Sequence, residues 1–153
     1  MKSKAHAGIS VVAGLAALAV TPPTIPAWAV VAVAVVAGVG IDLDHFLLAR
    51  YNTGNWDAVR RCLRDPRIVA FAQDEIFEEG TVGALNRLLT HVVIAGVLVA
   101  VLWPWRPSVA GVVAVSLYAH VLADVVAMVR TSVVADRDDL PEGWPEATPD
   151  DDT

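Results

Sequence analysis

A long uncharged apolar run extends from Ala27 to Ile41, and Asp42, Asp44 and His45 follow it directly. The run and its continuation to about Leu48 predict a helix long enough to cross the roughly 30 Å hydrocarbon core of a bilayer. Ionisable side chains at membrane depth are costly and usually mark a site. The cluster therefore has two interpretations: a polar helix end leaving the bilayer, or metal ligands, because carboxylates and imidazole together suit Zn²⁺, Mn²⁺ or Fe²⁺.

Other apolar segments complete a four-span pattern. Hydrophobic residues make up 56% of the 153-residue chain, which is too apolar for an ordinary soluble domain. The apolar segments cover residues 5–20, 27–48, 84–103 and 108–128, and the first is short for a span. We therefore predict an all-α protein in which residues 1–130 form a four-transmembrane-helix bundle. Residues 131–153 are acidic and contain prolines, so they are predicted to be a disordered tail.

The polar connection between spans two and three, residues 49–83, predicts amphipathic helical pieces. One helical face carries Trp56, Val59 and Leu63. Such a face is expected of a helix lying at a headgroup surface. Asp65-Pro66 predicts an N-cap and the start of a second helix that runs to about Glu79 and stops at Gly80. The alternative is a solvated loop helix without catalytic importance.

Positive charge is distributed unequally over the two ends of such a bundle. Of the 11 lysines and arginines, all except Arg106 lie near the end that carries the N-terminus, the connection and the tail. The positive-inside rule therefore predicts a multi-pass protein of the cell membrane with both termini in the cytoplasm. As an alternative, the first segment is a secretory signal peptide cleaved at Ala27-Trp28-Ala29. The net charge of −6 gives no support for nucleic-acid binding, so the lipid bilayer is the expected partner.

The four histidines fall one in each span, all in the predicted cytoplasmic half. His120 and Asp124 are four residues apart and Asp42 and His45 three apart, so each pair shares a helix face. Asp44 points elsewhere on an ideal helix and joins only if the helix end distorts. Isolated histidines near helix ends are usually interfacial, but this pattern predicts a shared centre for a divalent metal, Zn²⁺ or else Mn²⁺ or Fe²⁺. The candidate ligands are His6, Asp42, Asp44, His45, His91, His120 and Asp124.

The number and type of these residues limit the kind of metal site. Seven candidates are too many for one tetrahedral ion, so either two ions bind or some of the residues orient the ligands. Cys62 is the only cysteine, which excludes a cysteine-based zinc site and an intrachain disulfide.

The same residues resemble the motifs of the YdjM-like family, described as membrane-bound, metal-dependent hydrolases or LexA-binding inner-membrane-associated hydrolases. The matching elements are His6, Asp42-Leu43-Asp44-His45 after the second span, and His120 to Asp124 in the last span. The family motif His-Arg-Gly-x-Thr-His reads Asn86-Arg87-Leu88-Leu89-Thr90-His91 here, so Asn86 and Leu88 depart from it. The resemblance extends to about Arg130 and implies a metal-dependent hydrolase embedded in the membrane.

The cluster and the resemblance together predict a hydrolase acting at the cytoplasmic membrane face. Asp44 or Asp124, where it is not a ligand, would take a proton from water or orient a ligand imidazole. Arg87 lies one turn before His91 and would pair with a phosphate oxygen, which favours a phosphoester or lipid-like substrate. A snorkelling arginine is the alternative for Arg87. The non-enzymatic alternatives are a metal- or haem-binding histidine cluster in a scaffold, a carrier or a sensor.

Overall fold

The computed structural model describes residues 3–19, 25–72, 75–78 and 81–138. Within these ranges the protein is helical and contains no strand, which confirms the predicted all-α class. The helices are α1 (Ser3–Leu18), α2 (Ala27–Gly40), α3 (Asp44–Thr53), α4 (Asp57–Arg64), α5 (Arg67–Phe71), α6 (Ala84–Leu102) and α7 (Pro107–Asp138). A 3-10 turn, Ile41–Leu43, joins α2 to α3 with right-handed helical dihedral angles at both of its ends.

Within the described ranges, three stretches are long and apolar enough to cross a membrane. They are Ala27–Thr53, Ala84–Leu102 and Pro107–Ser132. The first combines α2, the 3-10 turn and α3, since the backbone stays helical through the junction. The 16 residues of α1 are also apolar but span only about 24 Å at ~1.5 Å per residue. The protein therefore has the helices of a membrane protein, with α1 as a shorter apolar companion.

Helix α7 lies at the centre of the packing. It contacts α1, α2 and α6, while α1 and α2 also contact each other. One apolar core, formed by Ala17, Ala34 and Val112, joins α1, α2 and α7. A second core around Ile41 and Leu117 joins the 3-10 turn and α7 to the inner side of α6. Little of α6 is buried within the protein, as expected for a helix that faces lipid.

Helices α1, α2 and α7 approach closely at a layer of small residues, Ser10, Gly38 and Ser116. A Cβ atom on Gly38 would lie 2.0 Å from Ser10 Oγ and 2.9 Å from Ser116 Oγ, so any larger residue requires these neighbours to move. The Ser116 hydroxyl donates to the carbonyl oxygen of Ala34 at 2.6 Å. Small residues allow this kind of backbone approach between membrane helices. Each member of the small-residue layer is four positions from a candidate ligand on its own helix, namely His6, Asp42 and His120.

The connection between α3 and α6 folds back over the end of the bundle. Helix α3 ends at Gly54, whose φ of 75° is the left-handed conformation that glycine adopts without strain. The Arg61 guanidinium pairs with Glu78 at 2.7 Å, and the Asn52 amide donates to the Thr81 carbonyl at 2.8 Å. The ring of Phe77 packs edge-on against an imidazole of the candidate site, that of His45, with 6.0 Å between centroids.

Two predicted boundaries differ from the structure. Asp65 Oδ1 accepts a hydrogen bond from the Arg67 N–H at 3.0 Å, as expected of a capping residue. Helix α5 nevertheless ends at Phe71 and not near Glu79. Glu79 and Gly80, where the predicted helix stops, lie outside the described residues. The helix ends because Ala72 leaves the helical region, with φ −138° and ψ 55°. Ile68 within α5 and Ile76 beyond it are both buried.

The last helix also extends beyond its predicted end. Helix α7 continues to Asp138, past the expected start of the tail at residue 131, because no glycine or proline interrupts residues 112–140. The rest of the predicted tail, residues 139–153, lies outside the described part of the chain.

Candidate metal centre

The structure brings all seven predicted ligands into one cluster at one end of the bundle. Three groups of side chains have potential ligand atoms within 4.8 Å of one another. These groups are His6–His120–Asp124, Asp42–His91–His120 and Asp44–His45–His91. The second group shares His120 with the first and His91 with the third, so the three groups form one continuous site.

Asp42 occupies the middle of the cluster. Its Oδ1 atom lies 3.3 Å from His91 Nε2, 3.4 Å from His120 Nε2 and 3.8 Å from His45 Nε2. A single carboxylate oxygen thus faces imidazoles from α3, α6 and α7. The 3-10 turn positions this oxygen, because Asp42 is the middle residue of that turn.

Asp44 joins the cluster because the helix is distorted into a 3-10 turn directly before it. A 3-10 turn advances ~120° per residue instead of ~100°, which reduces the angle between Asp42 and Asp44 from ~160° towards ~120°. Asp44 Oδ2 accepts hydrogen bonds from His91 Nδ1, at 3.1 Å, and from the Thr90 hydroxyl. His91 Nε2 lies 3.3 Å from Oδ1 of Asp42, so the two carboxylates hold the ring from its two nitrogens.

Asp124 contacts Arg87 and three of the four imidazoles. Its Oδ1 atom lies 3.4 Å from His6 Nε2 and 3.5 Å from Arg87 Nη2. Its Oδ2 atom lies 3.6 Å from His120 Nε2 and 4.0 Å from His91 Nε2. Arg87 is 25% exposed and lies at the edge of the site, so its guanidinium is accessible from outside.

The four imidazoles form a row across the bundle. The rings of His6 and His120 stack with 3.9 Å between centroids, His120 and His91 lie 5.0 Å apart, and His91 and His45 lie 5.3 Å apart. His6, His91 and His120 are at most 2% exposed. Helices α1, α3, α6 and α7 each contribute one ring, so the row joins α1, α6 and α7 to the continuous α2–α3 segment at this end.

The charge and hydrogen bonding of the cluster fit a divalent cation. Asp42, Asp44, Asp124 and Arg87 leave two uncompensated negative charges when the imidazoles are neutral. Among the described residues, both ring nitrogens of His120, Nε2 of His45 and Oδ1 of Asp44 are buried without a hydrogen-bond partner. Buried polar atoms are normally partnered, and metal coordination satisfies them equally well. The cluster can therefore hold a divalent metal ion.

Sequence reasoning did not place Thr90 or the small-residue layer in the site. Thr90 precedes His91 and donates to the same Oδ2 atom of Asp44, a contact that depends on how α3 meets α6. The small-residue layer has a recognisable signal, because a small residue lies one turn from a ligand on each of three helices. Only the packed structure shows that these three small residues meet.

The fold and the cluster define an all-helical protein with membrane-length helices and a buried histidine–aspartate centre. Comparisons with protein-family models, with curated proteins and with solved structures give no match to this chain.

Proposed function

We propose that the protein is a membrane-bound, metal-dependent hydrolase of the YdjM-like type that acts on a phosphoester. The observation that carries the proposal is the central group of Asp42, His91 and His120, which overlaps both other groups. Two imidazoles and one carboxylate are three protein ligands, and catalytic zinc sites combine three such ligands with an open position. Zinc is therefore the favoured ion, with manganese or iron as alternatives.

Residues around this group have distinct roles in the proposed reaction. An ion held there supplies Lewis-acid polarisation of a phosphoryl oxygen. Asp44 is a positioning residue, because its hydrogen bond to Nδ1 of His91 fixes the ring and its tautomer. Asp124 accepts the proton of the attacking water, and Arg87, which pairs with Asp124, binds a phosphate oxygen from the exposed edge.

The proposed topology has four spans with the centre at the cytoplasmic face. Two features support it: the lysines and arginines concentrate near the cluster end, and α1 packs against α2 and α7. The burial of His6 within the cluster supports α1 as a permanent fourth span, not a cleaved signal peptide.

Elemental analysis of the detergent-purified protein tests the centre. We expect about one zinc ion per chain in the wild type and loss of most of it in His120→Ala, since a site that loses one of three protein ligands binds its metal much more weakly. Tyr118→Ala is the matched control, because Tyr118 lies on the same helix and is exposed. Unchanged metal content in His120→Ala would contradict the proposed centre. Two ions per wild-type chain would instead assign one ion to His6–His120–Asp124 and one to Asp44–His45–His91.

Hydrolysis of p-nitrophenyl phosphate and bis-p-nitrophenyl phosphate tests the activity. We expect turnover by the zinc-loaded wild type and its loss in Asp124→Asn, which keeps the size of the side chain but removes the base. A metal-loaded protein that cleaves neither ester would refute the hydrolase and favour a metal sensor, carrier or scaffold. A red protein with a haem absorption band would instead support the haem alternative.

A further inference from the structure

The end of the cluster around His45 lies beyond the central group of ligands. His45 Nε2 lies 3.7 Å from Asp44 Oδ1 and 3.8 Å from Asp42 Oδ1. Two ligand atoms at about 2.1 Å from one ion in tetrahedral geometry are about 3.4 Å apart, so both distances are close to those of a coordination shell. We call Asp42, Asp44 and His45 together the outer site.

Two ligand atoms of the outer site are buried without a hydrogen-bond partner. They are Oδ1 of Asp44 and Nε2 of His45. Asp44 is only 5% exposed, and its other oxygen, Oδ2, already accepts hydrogen bonds from Thr90 and His91. An ion in the central group would leave both atoms unsatisfied, because neither residue belongs to that group. Buried polar atoms are normally satisfied, so these two indicate a second cation.

The outer site differs from the central group in its donors and in its exposure. It offers two carboxylates and one imidazole, where the central group offers one carboxylate and two imidazoles. A set of donors rich in carboxylate suits Mn²⁺. His45 and Asp42 are partly exposed, whereas His91 and His120 are buried. The second ion should therefore keep water ligands, bind more weakly than the first and be lost during purification.

The charge of the cluster determines when a second ion can bind. The three carboxylates and the Arg87 guanidinium leave two negative charges when the imidazoles are neutral, and one divalent ion cancels them. A second divalent ion would then leave two uncompensated positive charges in a largely buried site, which is costly in free energy. A phosphate dianion removes this excess, so the second cation and phosphate should bind together.

We propose that Asp42, Asp44 and His45 form a second, weaker cation site that fills together with the phosphate group of the substrate. This inference rests on the proposed phosphoester hydrolase and adds a second ion, of the Mn²⁺ type, to it. Asp42 belongs to both groups, because its Oδ1 atom faces His45 and also the two central imidazoles. Asp44 keeps its positioning role through Oδ2 and binds the second ion through Oδ1.

Titration with Mn²⁺ tests the second site. The zinc-loaded, detergent-purified protein is titrated with and without inorganic phosphate, and unbound Mn²⁺ is measured by its EPR signal. Mn²⁺ binds such donors more weakly than Zn²⁺, so the zinc should stay in place. We expect about one Mn²⁺ per chain and a dissociation constant about tenfold lower with phosphate, which is within the usual range for coupled ligands.

Two variants on α3 provide the comparison. His45 is a ligand of the outer site only, so His45→Gln should keep the zinc and lose Mn²⁺ binding with or without phosphate. Tyr51 lies on the same helix and is exposed, so Tyr51→Ala should bind both ions as the wild type does. Because all samples are measured in the same phosphate buffer, His45→Gln also corrects for Mn²⁺ that phosphate binds in solution.

The possible results separate the second site from the activity. A wild type that binds no Mn²⁺, or binds it equally with and without phosphate, overturns the inference even if the protein hydrolyses p-nitrophenyl phosphate. A folded His45→Gln that binds Mn²⁺, or that loses its zinc, also overturns it. Phosphate-dependent Mn²⁺ binding by a protein that hydrolyses neither ester supports the second site and refutes the hydrolase. Should His45→Gln not fold, the wild-type titrations decide by themselves.

Discussion

Replacement of Gly38 by alanine tests how tightly the helices are held beneath the metal centre. The added Cβ would lie 2.0 Å from Ser10 Oγ, 3.1 Å from Ser10 Cβ and 2.9 Å from Ser116 Oγ, whereas ordinary contacts begin at 3.4 Å. Rotation of the Ser10 hydroxyl relieves the first contact. The Ser116 hydroxyl is held by its hydrogen bond to Ala34, so that contact and the one with Ser10 Cβ persist unless α1 or α7 moves.

The expected cost follows from this overlap. Overpacking of a tight contact costs about 1–3 kcal/mol, while replacing glycine by alanine within a helix gains about 1 kcal/mol in propensity. Gly40→Ala is the matched control, because it lies on the same helix and its Cβ meets no atom within 4 Å. Gly38→Ala should therefore be less stable than Gly40→Ala by ~1–3 kcal/mol, and it should bind metal more weakly because α1 carries His6.

Reversible unfolding in mixed micelles, followed by tryptophan fluorescence, measures the difference in unfolding free energy. In the Gly38→Ala background, Ser116→Ala should restore part of the stability, since it removes the oxygen that cannot rotate away from the new methyl group. Equal stabilities of Gly38→Ala and Gly40→Ala, within the ~0.5 kcal/mol typical of neutral substitutions, would refute the close approach of the three helices.

Three further predictions concern Thr90, the reactivity of Cys62 in the connection, and the topology. Thr90→Val removes the hydroxyl that donates to Asp44 and should weaken metal affinity by about 10–100-fold. Thr90→Ser keeps the hydroxyl and should keep the affinity. Equal affinities of the Val and Ser variants in titrations with a zinc chelator would contradict the positioning role of Asp44. Burial raises the pKa of the Cys62 thiol, so its alkylation should be slow at neutral pH and faster as the pH rises. A membrane-impermeant maleimide at pH 8.5 should label Cys62 only in permeabilised cells, because the proposed topology places the connection in the cytoplasm. Trp105→Cys in a Cys62→Ser background should be labelled in intact cells, because that turn lies on the opposite side. The reverse pattern would contradict the proposed topology.

The candidate ligands were predictable where helical spacing alone decides which side chains meet. The spacing of His120 and Asp124 places both on one face of α7, and both face the cluster. The number of histidines, one for each apolar segment, then indicated that the segments share a centre. These inferences need only the helical period and the order of the segments.

The remaining features depend on contacts between distant parts of the chain. The 3-10 turn that brings in Asp44 has no clear sequence signal, and Thr90 acts only because α6 lies beside α3. The early end of α5 at Phe71 is marked by no glycine or proline in the sequence. Propensity and periodicity do not contain this tertiary information, so element ends were the least predictable feature.

The four imidazoles come from four different helices, so an ion bound among them would also hold these helices together. Helix α6 packs mainly on α7, and His91 is its anchor within the cluster. Without a cation, three neighbouring acidic groups would repel one another and favour separation of α6 from the other helices. If the proposed ion binds, its supply would thereby govern the lifetime of the assembled bundle, and metal-starved cells should degrade the protein faster than replete ones.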